Sequence, residues 1–215
     1  MRRRYAIGDI HGCLSKLDEL ISKIDPGTGD TLIFLGDYLD RGTHSKGVVE
    51  YLIALSSEAN CIFLRGNHED MLFEFLEYGT NMGLYFANGG TKTIESYLGG
   101  EPFVSHDQVA RAIPESHRDF FAKLDWYHED DGYLYVHAGV KPSIPIHLQD
   151  THDLLWVRDE FIFSPTGLAK KVVFGHTPFS RPMVKEDKIG IDTGAVYGGV
   201  LTAVQLPQET FIQSS

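Results

Sequence analysis

The stretch Thr31-Leu32-Ile33-Phe34-Leu35-Gly36-Asp37-Tyr38-Leu39-Asp40-Arg41-Gly42 decides how this chain is read. Its first part is an apolar run, and its second is a glycine-bounded loop that carries carboxylates and a guanidinium. A short apolar run closed by glycine reads as a buried strand. Polar groups just beyond such a strand end lie where open α/β sheets keep their chemistry. The arrangement recurs along the chain. Tyr5-Ala6-Ile7 leads into Gly8-Asp9-Ile10-His11-Gly12, and Cys61-Ile62-Phe63-Leu64 precedes Gly66-Asn67-His68-Glu69. Leu134-Tyr135-Val136 leads into His137-Ala138-Gly139, and Val172-Val173-Phe174 into Gly175-His176-Thr177-Pro178.

Helical patterns separate the first three of these motifs. Leu14, Leu17, Leu20, Ile21 and Ile24 recur at helical spacing until Pro26-Gly27 stops them. Ser45 to Leu55 is a second predicted helix, and a third starts at Glu69 and contains Met71 to Leu76. Strand, loop and helix in series predict an α/β fold with parallel βαβ units. Further on, Trp126-Tyr127-His128 and Tyr133-Leu134-Tyr135-Val136 flank Asp131-Gly132, a hairpin signal. Lys188 to Ile191 and Val200 to Val204 are additional predicted strands. Residues 79–125 contain none of the motifs. Helical patterning around Thr91–Leu98, Gln108–Ile113 and His117–Leu124 makes this segment an insert, either a cap over substrate access or plain packing.

Because the motif residues span Asp9 to His176, a division of the chain would divide the site, so residues 1–215 are read as one domain. The formal charge of −11, from 19 basic and 30 acidic side chains, argues against nucleic-acid binding, which rests on basic side chains at phosphates. It leaves room for a phosphorylated substrate, because bound cations reverse the local field. Arg2, Arg3 and Arg4 begin like a signal peptide, yet no apolar region follows them before Asp9. No apolar run approaches the length of a membrane span, and a cytoplasmic protein is expected. Cys13 and Cys61 give no disulfide framework and are expected to be small buried side chains. The acidic run Glu129-Asp130-Asp131 is expected to be a solvated turn.

The motif residues are the oxygen and nitrogen donors that hard or borderline divalent cations take. Asp9 and His11 alternate in one loop and can face one cleft, while Asp37 has two oxygens with which to bridge two ions. Asn67, His137 and His176 add neutral donors for the second ion. In two-metal hydrolases the ions lie about 3.5–4 Å apart, clamp the attacking and leaving oxygens, and lower the pKa of bound water towards ~7. A phosphate monoester of an aliphatic alcohol also needs a proton donor at its leaving oxygen. His68, next to Asn67, is placed for that role, with Asp40 to hold its imidazole and Arg41 to contact phosphate.

These residues resemble the phosphoprotein phosphatase family of calcineurin-like metallophosphoesterases, with its Gly-Asp-x-His-Gly, Gly-Asp-x-x-Asp-Arg-Gly and Gly-Asn-His-Glu signatures. The likeness runs from Asp9 to about Val204 and is nearest to the compact bacterial and bacteriophage serine/threonine phosphatases. It implies a four-layer αββα sandwich and two divalent ions, manganese first, with iron, zinc or magnesium suited to the same ligands. By matching motif, Asp9, His11 and Asp37 hold one ion, and Asp37, Asn67, His137 and His176 the other. His68 and Asp40 form the acid pair, and Arg41, Asn67 and Arg158 contact phosphate, Arg158 through the segment Leu154-Leu155-Trp156-Val157-Arg158. Thr43 replaces the proline that many relatives have after Asp-Arg-Gly. Asn88-Gly89-Gly90-Thr91 and Asp192-Thr193-Gly194 are further family-like segments without an assigned role.

The implied activity is removal of phosphate from phosphoserine and phosphothreonine in proteins or peptides, with smaller phosphoesters as additional substrates and neither nucleic acid nor membrane as a partner. A symmetrical dinucleoside tetraphosphate hydrolase is the nearest alternative. Asp40 favours the protein-phosphatase reading, since that group usually lacks aspartate before Arg-Gly. A non-catalytic binding module on the same fold would have lost ligands or the His68–Asp40 pair, and neither is lost.

Overall fold

In the computed structural model, which describes residues 3–215, each apolar run forms the strand that delivers its motif. The first part of the chain alternates β1 (Arg4–Ile7), α1 (Leu14–Ile24), β2 (Thr31–Phe34), α2 (Ser45–Glu58), β3 (Asn60–Phe63) and α3 (Asn67–Tyr78). Four helices follow without a strand between them: α4 (Met82–Ala87), α5 (Gly90–Leu98), α6 (His106–Ala112) and α7 (Glu115–Ala122). The chain then continues through β4 (Tyr127–Glu129), β5 (Tyr133–Val136), α8 (Thr151–Trp156), α9 (Asp159–Phe163), β6 (Lys171–Phe174), β7 (Met183–Val184), β8 (Lys188–Gly190), β9 (Thr202–Leu206) and β10 (Thr210–Gln213).

The strands form two five-stranded mixed sheets, ordered β10-β9-β1-β2-β3 and β4-β5-β6-β8-β7. β1, β2 and β3 are parallel, as are β5, β6 and β8, whereas β9 and β10 return antiparallel to the first sheet. Because side chains alternate along a strand, each sheet feeds two cores. Tyr5, Ile7, Leu32 and Phe34 pack against Leu17, Leu20, Val48 and Leu52 of α1 and α2. Their neighbours Ala6, Ile33 and Leu35 face Tyr135, Val173 and Ile189 of the second sheet. Leu134, Val136, Val172 and Phe174 pack outward on Leu154, Phe161 and Ile162 of α8 and α9. Helices, sheet, sheet and helices therefore stack as the four-layer αββα sandwich that the family resemblance implies.

Register puts the motifs at one edge. Ile7 pairs with Phe34 and Phe34 with Phe63, so the loops after β1, β2 and β3 leave side by side. Tyr135 pairs with Val173 in the other sheet, which brings His137 next to Gly175, and Gly175 N–H donates to His137 O at 2.8 Å. On the second outer layer, Lys188 is wholly buried and its ammonium donates to Phe161 O and Ser164 O, both at 2.6 Å. It thereby satisfies free carbonyls at the end of α9, the helix that begins just after Arg158.

Several details differ from the sequence reading. α2 continues to Glu58, and α3 starts at Asn67, so Asn67 and His68 lie on its first turn. The helix α4 lacks a clear periodic signal: only Tyr85 is buried, and Gly83 interrupts it. Cys61 is half-buried because β3 is the edge of its sheet, and Cys13 is half-buried at the loop entering α1. Asp130 is more than a solvated turn residue. Its Oδ1 accepts from Gly132 N–H and Tyr133 N–H, and its Oδ2 pairs with Arg4 at 2.6 Å, tying the hairpin to β1. Met1 and Arg2, where the basic run begins, lie outside the described residues. Among the described residues, no helix is long and apolar enough to cross a membrane.

Candidate metal centre

The backbone marks the site before any side chain is considered. Nine non-glycine residues among those described have positive φ, and five of them are His11, Asp37, Asp40, Arg41 and His176. Such backbone costs on the order of 1–3 kcal/mol per residue and persists only where the surroundings enforce it. Here the loops enforce it on one another: His11 N–H donates to Asp37 O at 2.8 Å and Gly12 N–H to Tyr38 O at 2.9 Å. Gly175 has no alternative, since a Cβ at that position would collide with the Asp9 carboxylate.

The imidazoles are oriented by backbone carbonyls, which can only accept a hydrogen bond. His11 Nδ1–H donates to Leu39 O at 2.7 Å, and His137 Nδ1–H to Leu35 O at 2.8 Å. The Nε2 lone pair of each ring is thereby turned to the cleft. His137 Nε2 lies 2.9 Å from Asn67 Oδ1, 3.2 Å from His176 Nδ1 and 3.4 Å from Asp37 Oδ1. Donor atoms of Asp37, His137 and His176 fall within 4.8 Å of one another, as do those of His11, Asp37 and His68. Asp37 belongs to both clusters, in the position of a bridge.

Asp9 joins neither cluster. Both its oxygens accept from His176 N–H, at 3.1 and 3.0 Å, which holds the carboxylate beside the second cluster's backbone. His68 lies in the first cluster, with Nε2 3.9 Å from Asp37 Oδ2.

The electrostatics of these side chains call for positive charge. Burial, followed by repulsion from Asp192 and Asp37, pushes Asp9 well above the usual carboxylate range. Burial and then Glu69 do the same to Asp37. Burial lowers His11 and His176 and takes His137 down to about 3, so the rings are neutral donors. His68 Nε2 and His176 Nε2 are buried without a hydrogen-bond partner, a costly condition for imidazole nitrogen. Neutral imidazoles, an amide oxygen and unneutralised carboxylates around one space fit divalent cations by donor type and by charge.

Beside this space stands a buried pair. His68 Nδ1 is 2.7 Å from Asp40 Oδ2, and neither side chain is exposed. Burial pushes Asp40 up to about 7, against the Thr93 and Tyr85 hydroxyls that hold it down, while burial lowers His68. Arg41 reaches in from the same loop, with Nη1 2.5 Å from His11 Nε2. Arg158 is exposed and donates to Thr177 Oγ1 at 3.4 Å; its charge lowers His68, His137 and His176. The structure therefore gathers His11, Asp37, Asn67, His68, His137 and His176, keeps Asp40 and Arg41 against them, holds Asp9 buried at the His176 backbone and leaves Arg158 exposed.

Sequence reasoning gave Glu69 no structural work. Its Oε2 accepts from Asp37 N–H and Gly66 N–H, and its Oε1 from Tyr38 N–H, all near 2.9–3.0 Å. The signal was present, because a glutamate three residues into a helix start is a capping-box position. Tyr85 and Thr93, whose hydroxyls reach Asp40, carried no comparable local signal. Asp192 is buried, accepts from Gly194 N–H at 2.9 Å as a turn residue, and also repels Asp9.

Comparison with known proteins identifies the family of the chain. The calcineurin-like phosphoesterase family model matches residues 3–198. The asymmetrical bis(5'-nucleosyl)-tetraphosphatase PrpE of Halalkalibacterium halodurans is 27% identical, over 96% of this chain and 91% of that protein. Serine/threonine-protein phosphatase 1 of Salmonella typhimurium is 32% identical, over 95% of this chain and 92% of its own length. A solved protein serine/threonine phosphatase from Saccharomyces cerevisiae superposes with a TM-score of 0.67 over 95% of this chain and 72% of its own. At 16% identity that last likeness speaks to fold alone.

Proposed function

This chain belongs to the calcineurin-like phosphoesterases, and we propose that within the family it is a phosphomonoesterase acting on phosphoserine and phosphothreonine in proteins or peptides. In this reading residues 1–215 work as one domain in the cytoplasm. Asp9, His11 and Asp37 hold one divalent ion, and Asp37, Asn67, His137 and His176 a second, with manganese the first to test. When bound, the ions supply Lewis acidity towards phosphoryl oxygens and a nucleophile from water near neutral pH.

The rest is the work of side chains. Arg41 and Arg158 hold the non-reacting phosphoryl oxygens, and planar guanidinium groups suit that contact. Asn67 also contacts the phosphate. His68 Nε2, buried and unpartnered, gives a proton to the leaving oxygen, while Asp40 holds the ring through Nδ1.

The intact, fully buried His68–Asp40 pair carries this reading. A serine or threonine alkoxide leaves poorly and needs a proton, whereas a nucleotide leaves as a phosphate with much less help. The tetraphosphatase relatives support a second reading, hydrolysis of dinucleoside tetraphosphates. Manganese-loaded protein offered a phosphothreonine peptide and a dinucleoside tetraphosphate side by side separates the two. A kcat/KM at least ~10-fold higher on the peptide supports the first reading. A preference for the dinucleotide replaces it with the second.

A further inference from the structure

Two hydroxyls from the helical insert reach through the first core to the back of the acid pair. Thr93, on α5, places Oγ1 2.5 Å from Asp40 Oδ1, and Tyr85, on α4, places its hydroxyl 3.1 Å from the same oxygen. That leaves Oδ2 for His68 Nδ1 at 2.7 Å. The accounting is complete with one proton per hydroxyl. Thr93 gives its proton to Oδ1 and accepts from Asp40 N–H at 2.9 Å, with Ser45 Oγ 3.0 Å from its hydroxyl oxygen. Asp40, Tyr85, Thr93 and Ser45 are all buried, so water cannot substitute for any of these partners.

We propose that Tyr85 and Thr93 are positioning residues for general-acid catalysis: together they fix the Asp40 carboxylate so that Oδ2 holds the His68 imidazole with Nε2 towards the leaving oxygen. This rests on the reading of His68 as the acid. In the step they serve, the phosphorus–alcohol oxygen bond breaks and its electron pair stays on the alcohol oxygen. His68, doubly protonated beside the ionised Asp40 carboxylate, gives its Nε2 proton to that oxygen and takes another from solvent before the next turnover. Water supplies the oxygen of the new phosphorus bond and releases its own proton to solvent.

The insert is built to keep these hydroxyls in place. A Cβ at Gly90 would sit 2.5 Å from the Tyr85 ring, so only glycine lets α5 approach α4 this closely. Gly89 O accepts from Arg41 N–H at 3.1 Å, joining the same segment to the adjacent phosphate-contacting residue. Asp40 itself has φ of +68°, a conformation that its bonds to Thr93 and Ser45 help to hold. Residues 79–125 thus meet the site from behind, where they govern how an alcohol leaves.

The test compares Tyr85→Phe, Thr93→Val, Thr93→Ser and Asp40→Asn with the parent, all manganese-loaded, on a phosphothreonine peptide and on 4-nitrophenyl phosphate. Asp40→Asn should lose about 10²-fold in kcat on the peptide and far less on the aryl ester, which leaves without a proton. Tyr85→Phe and Thr93→Val should lose roughly 10-fold on the peptide, with less than about 3-fold loss on the aryl ester and little change in KM. Thr93→Ser, which keeps the hydroxyl, should restore the peptide rate to within about twofold. In protein without added metal, the downfield His68 Nδ1–H resonance should vanish in Asp40→Asn, shift in Tyr85→Phe and Thr93→Val, and stay put in Thr93→Ser. Equal losses on both esters, or an unmoved resonance in Tyr85→Phe, would overturn the positioning role while Asp40→Asn still shows its split. If Asp40→Asn shows no split, the acid-pair reading itself fails and this proposal falls with it. Tyr85→Phe keeps the packed ring, so the comparison survives if Thr93→Val does not fold.

Discussion

His137 Nε2 and His176 Nδ1 face each other across 3.2 Å, and Asn67 Oδ1 lies 2.9 Å from each. His137 has already given its Nδ1–H to Leu35 O, so its Nε2 offers a lone pair to a gap that the amide oxygen also lines. Asp37 Oδ1, 3.4 Å from His137 Nε2, adds a negative charge. Donor atoms gathered this closely and out of water suit a cation among them.

Replacing the amide oxygen of Asn67 with a carboxylate tests that arrangement. Asn67→Asp keeps an oxygen donor but adds negative charge, which strengthens metal retention and weakens Lewis acidity. The expected result is manganese affinity equal to or tighter than the parent, with kcat down by on the order of 10-fold or more. An unchanged kcat at full metal occupancy argues against Asn67 as a ligand.

Arg41 and Arg158 should differ in kind from the acid pair. If Arg158 contacts phosphate as proposed, Arg158→Ala removes charge-assisted bonds worth roughly 1.5–3 kcal/mol, so kcat/KM should fall about 10- to 100-fold on alkyl and aryl esters alike. Arg158→Lys should recover only part of it, because an ammonium cannot make the paired contact. A leaving-group-dependent loss in Arg158→Ala would instead place that residue with the proton donor.

Gly89 supplies a test of backbone approach. Its φ is +95°, and a Cβ there would lie 2.8 Å from both N and Cγ of Arg41. Gly89→Ala should therefore cost about 1–3 kcal/mol of stability and raise KM for phosphoesters by displacing Arg41. A variant with parental melting temperature and KM would show that the loop yields freely.

Away from the site, Asp30 ties the start of β2 to the residue before β1. Its carboxylate accepts from Arg3 Nη2 at 2.6 Å, Arg3 Nε at 3.0 Å and Gly27 N–H at 2.8 Å, and the Arg3 side chain holds its pKa below the ordinary value. A carboxyl depressed in the folded state adds stability that is complete above its unfolded pKa, about 3.9, and disappears as pH falls through the folded one. Asp30→Asn should therefore melt below the parent at pH 7, with the gap closing as pH falls below the unfolded value and through the lower folded one. Because Arg3 is 42% exposed, added salt should narrow the gap as well. A gap independent of pH would assign the loss to packing.

Local signals decided how much could be read in advance. Strand runs ending at Ile7, Leu35, Val136 and Phe174 are short-range patterns, and the strands end at Ile7, Phe34, Val136 and Phe174, within a residue of each run's end. Asp131-Gly132 likewise predicted the β4–β5 hairpin, which pairs Tyr127 with Val136. Long-range relations were beyond such signals. Nothing near Thr202 says that β9 will cross back to pair antiparallel with β1 and leave β10 at the edge. Tyr85 and Thr93 lie 45 and 53 residues from the carboxylate they bind, and no spacing rule joins them. Asp9 was expected beside His11 in one loop, but its hydrogen bond from His176 N–H, 167 residues away, is a long-range partner that no spacing rule gives.

Calorimetric titration of manganese into metal-stripped parent protein and Asp37→Asn addresses the central claim most directly. Asp37 is common to both donor clusters, so the account predicts two ions per chain in the parent and loss of at least one of them in the variant. Undiminished stoichiometry in Asp37→Asn, or no binding by the parent, would contradict it.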